Sequence, residues 1–535
     1  MSLKPQPPRE MPAELARIGA KLLPPESPYR LVGEQLYAKY RDADYANLYP
    51  AEGQPGLSPV DLAFVTAFQY MEDLADRAAA EAVQMRLDWK YALHLPLDYE
   101  GFNFSVLSEY RARLVNHQAQ GRVFDALLKD LQALGLLKRR GRQRTDSLAV
   151  LTRVRELTRL ELVVETLRVA LQALLAVDPE WTRATVPSTW EERYGERCAA
   201  ERLSDSERCV LQNETGRDGQ WLLDRLAAST TPTVLWPLSE VEVLRAVWEQ
   251  QFIVREQTVV WREPGPYDGT TRIQSPHDPE ARYSKKHDQE WIGDKLQVTE
   301  TDDEELPHLI VDIVLTSSVE SDQPALGEIQ DRQAEREVLP SQRFVDQGYV
   351  SGETLDASAD RGEDLIGPAP ADHSPQSRLP DGITHDQFKV NQESSSATCP
   401  AGHVSSGHSR AADGSQQFKF DPAVCAACPL RARCCTGQGG RTITFGPHYE
   451  ALQAARARQQ TDEFKQQYRQ HRGGVEGCLS ALVRGQGIRV NRYVRRAKNN
   501  LRALFVGVAV NLRRAARWLA GIRPQVRRKG LGFAG

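Results

Sequence analysis

The spacing of apolar residues changes twice along this chain, and that double change confines the fold to a helical part, an α/β part and a second helical part. Ser58-Pro59-Val60-Asp61 supplies an N-cap, a proline at the first helical position and an acid two places on. Leu62, Val65, Phe68, Met71 and Leu74 then recur at helical spacing. Asp76 and the Ala-rich run DRAAAEAVQMRL begin a second helix, and NFSVLSEYRARLVNH a third, capped by Asn103 or Ser105, with Arg111 and Arg113 on its exposed face. Three short helices of this kind suit either a helix-turn-helix type of bundle that addresses DNA or a bundle used for dimerisation. The helical pattern is expected to continue through 121–176, ending in a spacer or oligomerisation helix. After a polar segment the runs RIQSPHDPEARYS, DKLQVTET, HLIVDIVLTSS and RFVDQGYV are short and β-rich, separated by turn signals. From Pro447 onward the pattern is helical again.

A chain of 535 residues exceeds what one hydrophobic core supports, so several domains are expected. The longest apolar run, ALFVGVAVNL at 503–512, is too short for a membrane span and is flanked by arginines. The N-terminal residues carry prolines and charges where a signal peptide needs an apolar centre. A soluble, cytoplasmic protein with no membrane partner is the expectation. The formal net charge of −4 conceals an asymmetry: residues 477–535 hold 14 Lys and Arg and no acid. Such a basic arm is the electrostatic footprint of a polyanion partner, because neutralised phosphates release counterions.

Two constellations bear chemistry. Cys399, Cys425, Cys428 and Cys434 cluster around a Cys-x-x-Cys knuckle, which suits a tetrahedral structural zinc in a reducing compartment; His403, His408 or Cys435 can replace a ligand, and free buried thiols are the alternative. Tyr468, Arg472 and Glu476 fall on one helical face at intervals of four. Asp346 ends the apolar run of RFVDQGYV just before a glycine turn, where it serves either as a turn cap or as a ligand exposed at a strand tip. With Asp278 it completes a set of two Asp and one Glu, the hard oxygen donors that two-metal phosphodiester chemistry needs.

The runs SPHDPEARYSKKHDQEWIGDKLQVTET, RFVDQGYV and YRQHRGGVEG…RYVRRAKNNL resemble the three catalytic segments of bacterial insertion-sequence transposases of the DDE type. The helical segment from Gly56 to Leu114 resembles their N-terminal domain, and the Cys cluster resembles one that precedes their last catalytic helix. The resemblance implies a multi-domain α plus α/β fold with an RNase H-like core. It places the metal-binding acids at Asp278, Asp346 and Glu476, with Tyr468 and Arg472 in the helix motif; Asp268, in an Asp-Gly-Thr setting, competes for the first position. Two departures stand out: Asp294 occurs where the family usually has Tyr, and Val483 where a Lys often follows the Glu.

The expected organisation is an N-terminal segment (1–50), a helical DNA-binding or dimerisation domain (51–120), a helical linker (121–240), a catalytic core (241–520) with the Cys cluster in an insertion at 351–446, and a basic tail (521–535). The implied activity is cleavage and strand transfer at terminal inverted repeats with two Mg or Mn ions, by a homodimer associated with the nucleoid. Arg484, Arg489, Arg492, Arg495 and Lys498 are the expected DNA contacts. The alternatives are a non-catalytic zinc-containing DNA-binding protein and a plain metal-dependent nuclease.

Overall fold

The computed structural model describes all residues except 1, 257, 264–270, 287, 392–393, 436, 438 and 524–535. Asp268 and most of the basic tail therefore lie outside the described residues.

Helices α1 (Pro59–Met71), α2 (Asp76–Met85), α3 (Ser105–Asn116) and α4 (Arg122–Ala133) form the N-terminal part. Ser58 caps α1 as its sequence implies, accepting the Asp61 amide at 3.2 Å, and every residue of α1 is buried. Arg111 and Arg113 are not free on α3. Arg111 is buried and reaches Asp76 at 2.6 Å, while Arg113 donates to the Leu48 carbonyl and covers the Tyr49 ring.

The segment expected to stay helical contains instead strand β1 (Arg142–Leu151), followed by a separate helical body. That body comprises α5 (Arg159–Val177), α6 (Asp205–Leu226) and α7 (Ser239–Gln251), which close a core of their own around Leu167, Leu222, Leu244 and Trp248. Helix α5, whose sequence suggests a spacer, is thus the buried centre of an insertion. The chain rejoins the sheet through β2 (Arg282–Lys286), β3 (Gln289–Thr301) and β4 (Ile310–Ser317). Leu151 and Arg282 both pair with Gly293, on opposite sides of β3, so the insertion leaves and returns about 10 Å apart.

Helix α8 (Asp322–Glu335) then leads to β5 (Gln342–Phe344) and β6 (Asp364–Ile366). Strand β3 pairs antiparallel with β1 on one side and with β2 and β4 on the other, whereas β1–β5 and β5–β6 are parallel. Residues 388–445 form two small sheets over a satellite core of Phe388, Phe418, Phe420 and Phe445.

The chain ends in α9 (Asp462–Arg472), α10 (Gly474–Gln486) and α11 (Arg496–Leu519). Helix α11 is no exposed arm. It packs on β4, α1, α3 and α4, and its Phe505, Val508 and Leu512 join the core shared by the N-terminal helices and the sheet. An unpaired strand edge invites foreign pairing, and α11 covers the edge of β4. Asn511 accepts the Ile310 amide and donates to the Ile310 carbonyl, both at 2.8 Å, while Asn500 accepts the Leu315 amide at 2.6 Å.

Candidate active site

Strand alternation sends the side chains of β1 to opposite faces. Gln143 and Thr145 meet Gln333 of α8 and the buried Arg343. Arg144 and Asp146 face α9 and α10 instead. On the parallel neighbour, Phe344 pairs with Arg144. The parallel pairing ends there, two residues before Asp146 and Asp346, which lie close enough for the charge of Asp346 to act on Asp146. Asp346 caps the turn after β5, its carboxylate accepting the Gln347 amide at 2.9 Å, which leaves it half-buried at the strand tip. The turn-capping reading of this residue is therefore met.

Helix α9 lies against β5 and β6 through Phe464, which packs on Phe344 and Ile366 and stacks on Tyr468. Tyr468 donates to the Val345 carbonyl at 3.2 Å, one residue before Asp346. At the C-terminal end of α9, Arg472 Nη2 stands 2.8 Å from Asp146 Oδ2, and its Nε and Nη1 are buried without a hydrogen-bond partner among the described residues. Burial pushes the Asp146 carboxyl above the usual carboxylate range; the Arg472 guanidinium draws it back and the charge of Asp346 adds to the rise. Burial likewise lifts the Tyr468 hydroxyl to about 12.

The single helix expected to carry Tyr468, Arg472 and Glu476 is divided at Gly473, whose φ of −62° and ψ of −22° keep the two parts nearly in line. Helix α10 runs along β1. Arg144 donates to the His471 carbonyl at 3.3 Å near its start, and beyond its end Leu151 and Asn491 exchange backbone hydrogen bonds with the Arg489 carbonyl and the Leu151 carbonyl. Glu476, exposed in the first turn of α10, falls one helical repeat after Arg472.

Asp278 lies elsewhere. It accepts from Thr152 Oγ1 at 3.0 Å, six residues beyond Asp146 along the direction of β1, a distance of about 20 Å for an extended chain. Its surroundings are Asp294 and the backbone of Arg495; burial, with the Asp294 charge, raises its carboxyl. Asp294 in turn accepts from Asn491 and Arg496, each at 2.9 Å, and Glu280 accepts the Arg496 amide at 2.6 Å. These three acids hold the start of α11. Asp294 thus sits at the far end of the sheet from Asp346 rather than beside it. Val483, in the position where a Lys was expected, packs against the core.

Cys399, Cys425 and Cys434 pack against the satellite core, and Cys425 Sγ accepts the Arg441 amide at 3.4 Å. Among the described residues no group of three or more His, Cys, Asp or Glu is disposed to hold an ion, so the structural zinc expected from the knuckle finds no support. Of the expected DNA contacts, Arg484, Arg495 and Lys498 are exposed and Arg489 is half-buried. Arg492 is paired with Asp73 at 2.8 Å. Many other cations of the C-terminal region serve the fold: Arg496 holds Asp294, Arg514 holds Glu300, and Arg502 donates to the carbonyls of Gln486, Gly487 and Val490.

Two family models match the chain: one described as a transposase DDE domain, over residues 398–516, and one described as a transposase domain (DUF772), over residues 18–113. These two matches, which together cover about two fifths of the chain, support a DDE-type insertion-sequence transposase. Neither the curated proteins nor the solved structures contain a match. The DDE match contains Tyr468, Arg472 and Glu476. Transposases act on DNA, and a DDE domain implies use of a divalent metal, usually magnesium. Asp146, which the sequence pattern did not single out, lies outside both matches, and its sign in the sequence is faint: Thr145-Asp146-Ser147 follows a basic, polar run from Lys138 to Arg144 without alternation. No helix among the described residues is long and apolar enough to cross a membrane.

Proposed function

We propose that this transposase cuts and joins DNA with Asp146, Asp346 and Glu476 as its reacting carboxylates, Asp146 standing in the role that the sequence pattern assigned to Asp278. The observation that supports this reading is the parallel pairing of β1 and β5, which runs to two residues before each aspartate, together with the charge of Asp346 acting on Asp146. The sheet order, with antiparallel β3 and β4 preceding the parallel β5 and β6, supports an RNase H-like core.

The donor set suits magnesium, which takes one or two carboxylates together with water and substrate phosphate oxygens. Asp146 and Asp346 supply the carboxylates, and Glu476 stands on the adjoining helix. When bound, a pair of such ions activates the attacking oxygen and stabilises the leaving one. The remaining residues have their own tasks. Arg472 balances the charge of Asp146. Tyr468, with its hydroxyl lifted to about 12, stays protonated at neutral pH and fixes the turn that carries Asp346. The exposed Arg484, Arg495 and Lys498 offer phosphate contacts for DNA that runs on from this site toward the other end of the sheet. Cleavage would free a 3′-hydroxyl at each end of the insertion sequence for attack on target DNA, and pairing two ends calls for two copies of the chain.

The test is incubation with the DNA that flanks its own gene, with and without Mg²⁺, reading breaks and joints at nucleotide resolution. Breaks at the two ends, joined to target and lost in Asp146→Asn, are the expected result. Breaks without end preference or joining would make the protein a plain nuclease. End binding without breaks would make it a non-catalytic binder.

A further inference from the structure

Gly474 begins α10, and a methyl group on its Cα would lie 1.9 Å from Nη1 of Arg144 and 2.2 Å from its Cζ. The guanidinium occupies the room that the glycine leaves open. It is itself held on several sides: Nε donates to Glu300 at 2.8 Å, Nη1 to Asp302 at 2.6 Å and to the His471 carbonyl at 3.3 Å, and Nη2 meets His308 Nδ1 at 3.0 Å. Asp302 also receives His471 Nδ1 at 2.6 Å, and the His471 ring lies 4.8 Å from Phe344 of β5. One buried network thus grips the joint between α9 and α10 from the strand that carries Asp146.

Resting on the assignment of Asp146, Asp346 and Glu476 above, we propose that Arg144 is a positioning residue for strand cleavage. Locked against Gly474, it fixes the joint so that Arg472 before it and Glu476 after it are held at a set distance from Asp146. Arg144 and Asp146 are two residues apart on one face of β1, so the strut and the reacting carboxylate share one rigid element. A buried ion network in this place needs some purpose other than stability, since well-packed apolar groups often stabilise a core as well or better.

The test is a double-mutant cycle of Gly474→Ala and Arg144→Lys in the full-length protein. Glycine to alanine inside a helix ordinarily stabilises it, so a loss here points to the occupied space. Gly474→Ala is expected to slow cleavage of prebound end DNA by about a hundredfold, with end affinity unchanged and with faster amide hydrogen exchange over 473–478. Arg144→Lys keeps the charge between Glu300 and Asp302 but vacates the space, so in that background Gly474→Ala should cost much less. If the two substitutions multiply independently, or if Gly474→Ala cleaves and exchanges like wild type, the proposal is overturned. A wild-type protein that never cleaves, while Gly474→Ala still loosens the joint and Arg144→Lys relieves it, would overturn the cleavage reading and leave the interlock standing.

Discussion

Arg472 reaches across from the end of α9 to place its Nη2 2.8 Å from Asp146 Oδ2, forming an ion pair between a helix and the strand beneath it. Burial raises the Asp146 carboxyl and Arg472 limits the rise. On the proposal that the ionised carboxylate is the ligand, cleavage should fall as pH drops through this raised value, above the value of about 3.9 for an unperturbed aspartate. Arg472→Gln removes the influence that lowers it, so the acid limb of the pH–rate profile at saturating DNA should move to higher pH. An unchanged limb would show that Asp146 is not the titrating ligand.

The first acid can be identified by exchange. Asp146→Asn should reduce cleavage by about a thousandfold or more while end binding persists, as expected for loss of a group acting in the transition state. Asp278→Asn should retain cleavage, since its amide oxygen can still accept from Thr152 and its carboxyl is already raised by burial. Single-turnover assays of the two variants on one labelled DNA end decide between them.

Cations of the C-terminal region should divide into two groups. Arg514 Nη1 stands 2.8 Å from Glu300 Oε2, whose side chain is 1% exposed, so Arg514→Gln leaves the buried carboxylate only Arg144 as a cation partner and should cost about 2 kcal/mol in urea unfolding. Lys498 is exposed, and Lys498→Gln should change stability by less than about 0.5 kcal/mol. Its effect belongs in DNA binding, where the log–log salt slope should fall by about one.

Gly293 has a φ of +154° and lies between Leu151 and Arg282, where a methyl group would sit 2.1 Å from the Val150 carbonyl oxygen. Gly293→Ala should therefore destabilise the sheet by about 2 kcal/mol or more, visible as a lower denaturation midpoint.

Much of this arrangement can be read from the residues. The Ser58 cap and the periodicity of α1 follow directly from local chemistry, and Asp346 stands at the tip of an apolar run that a glycine turn terminates. The spacing of Arg472 and Glu476 survives the break at Gly473 because that glycine keeps near-helical torsions. Strand β1 was hidden for a different reason. Its first residues, Arg142 to Thr145, are polar on both faces because they meet buried ion pairs and amides rather than an apolar layer, so the period-two signal is missing. The insertion then separates Asp146 from β3 by more than 130 residues, so the acid appears to belong to a helical region. The basic C-terminal run misleads in the opposite sense, since composition does not distinguish a guanidinium that closes a carbonyl or a buried carboxylate from one that faces DNA.

The placement of α11 has a consequence for synthesis. Domains tend to fold from the N-terminus as the chain emerges, yet here the helix that covers the edge of β4 and joins the sheet to the N-terminal helices is made after both of them. Glu476 also arrives late. A chain cut short anywhere before this helix exposes a strand edge and an open core, a form that proteases recognise. The order of translation thus serves as a safeguard: a chain interrupted before the closing helix is left open to removal.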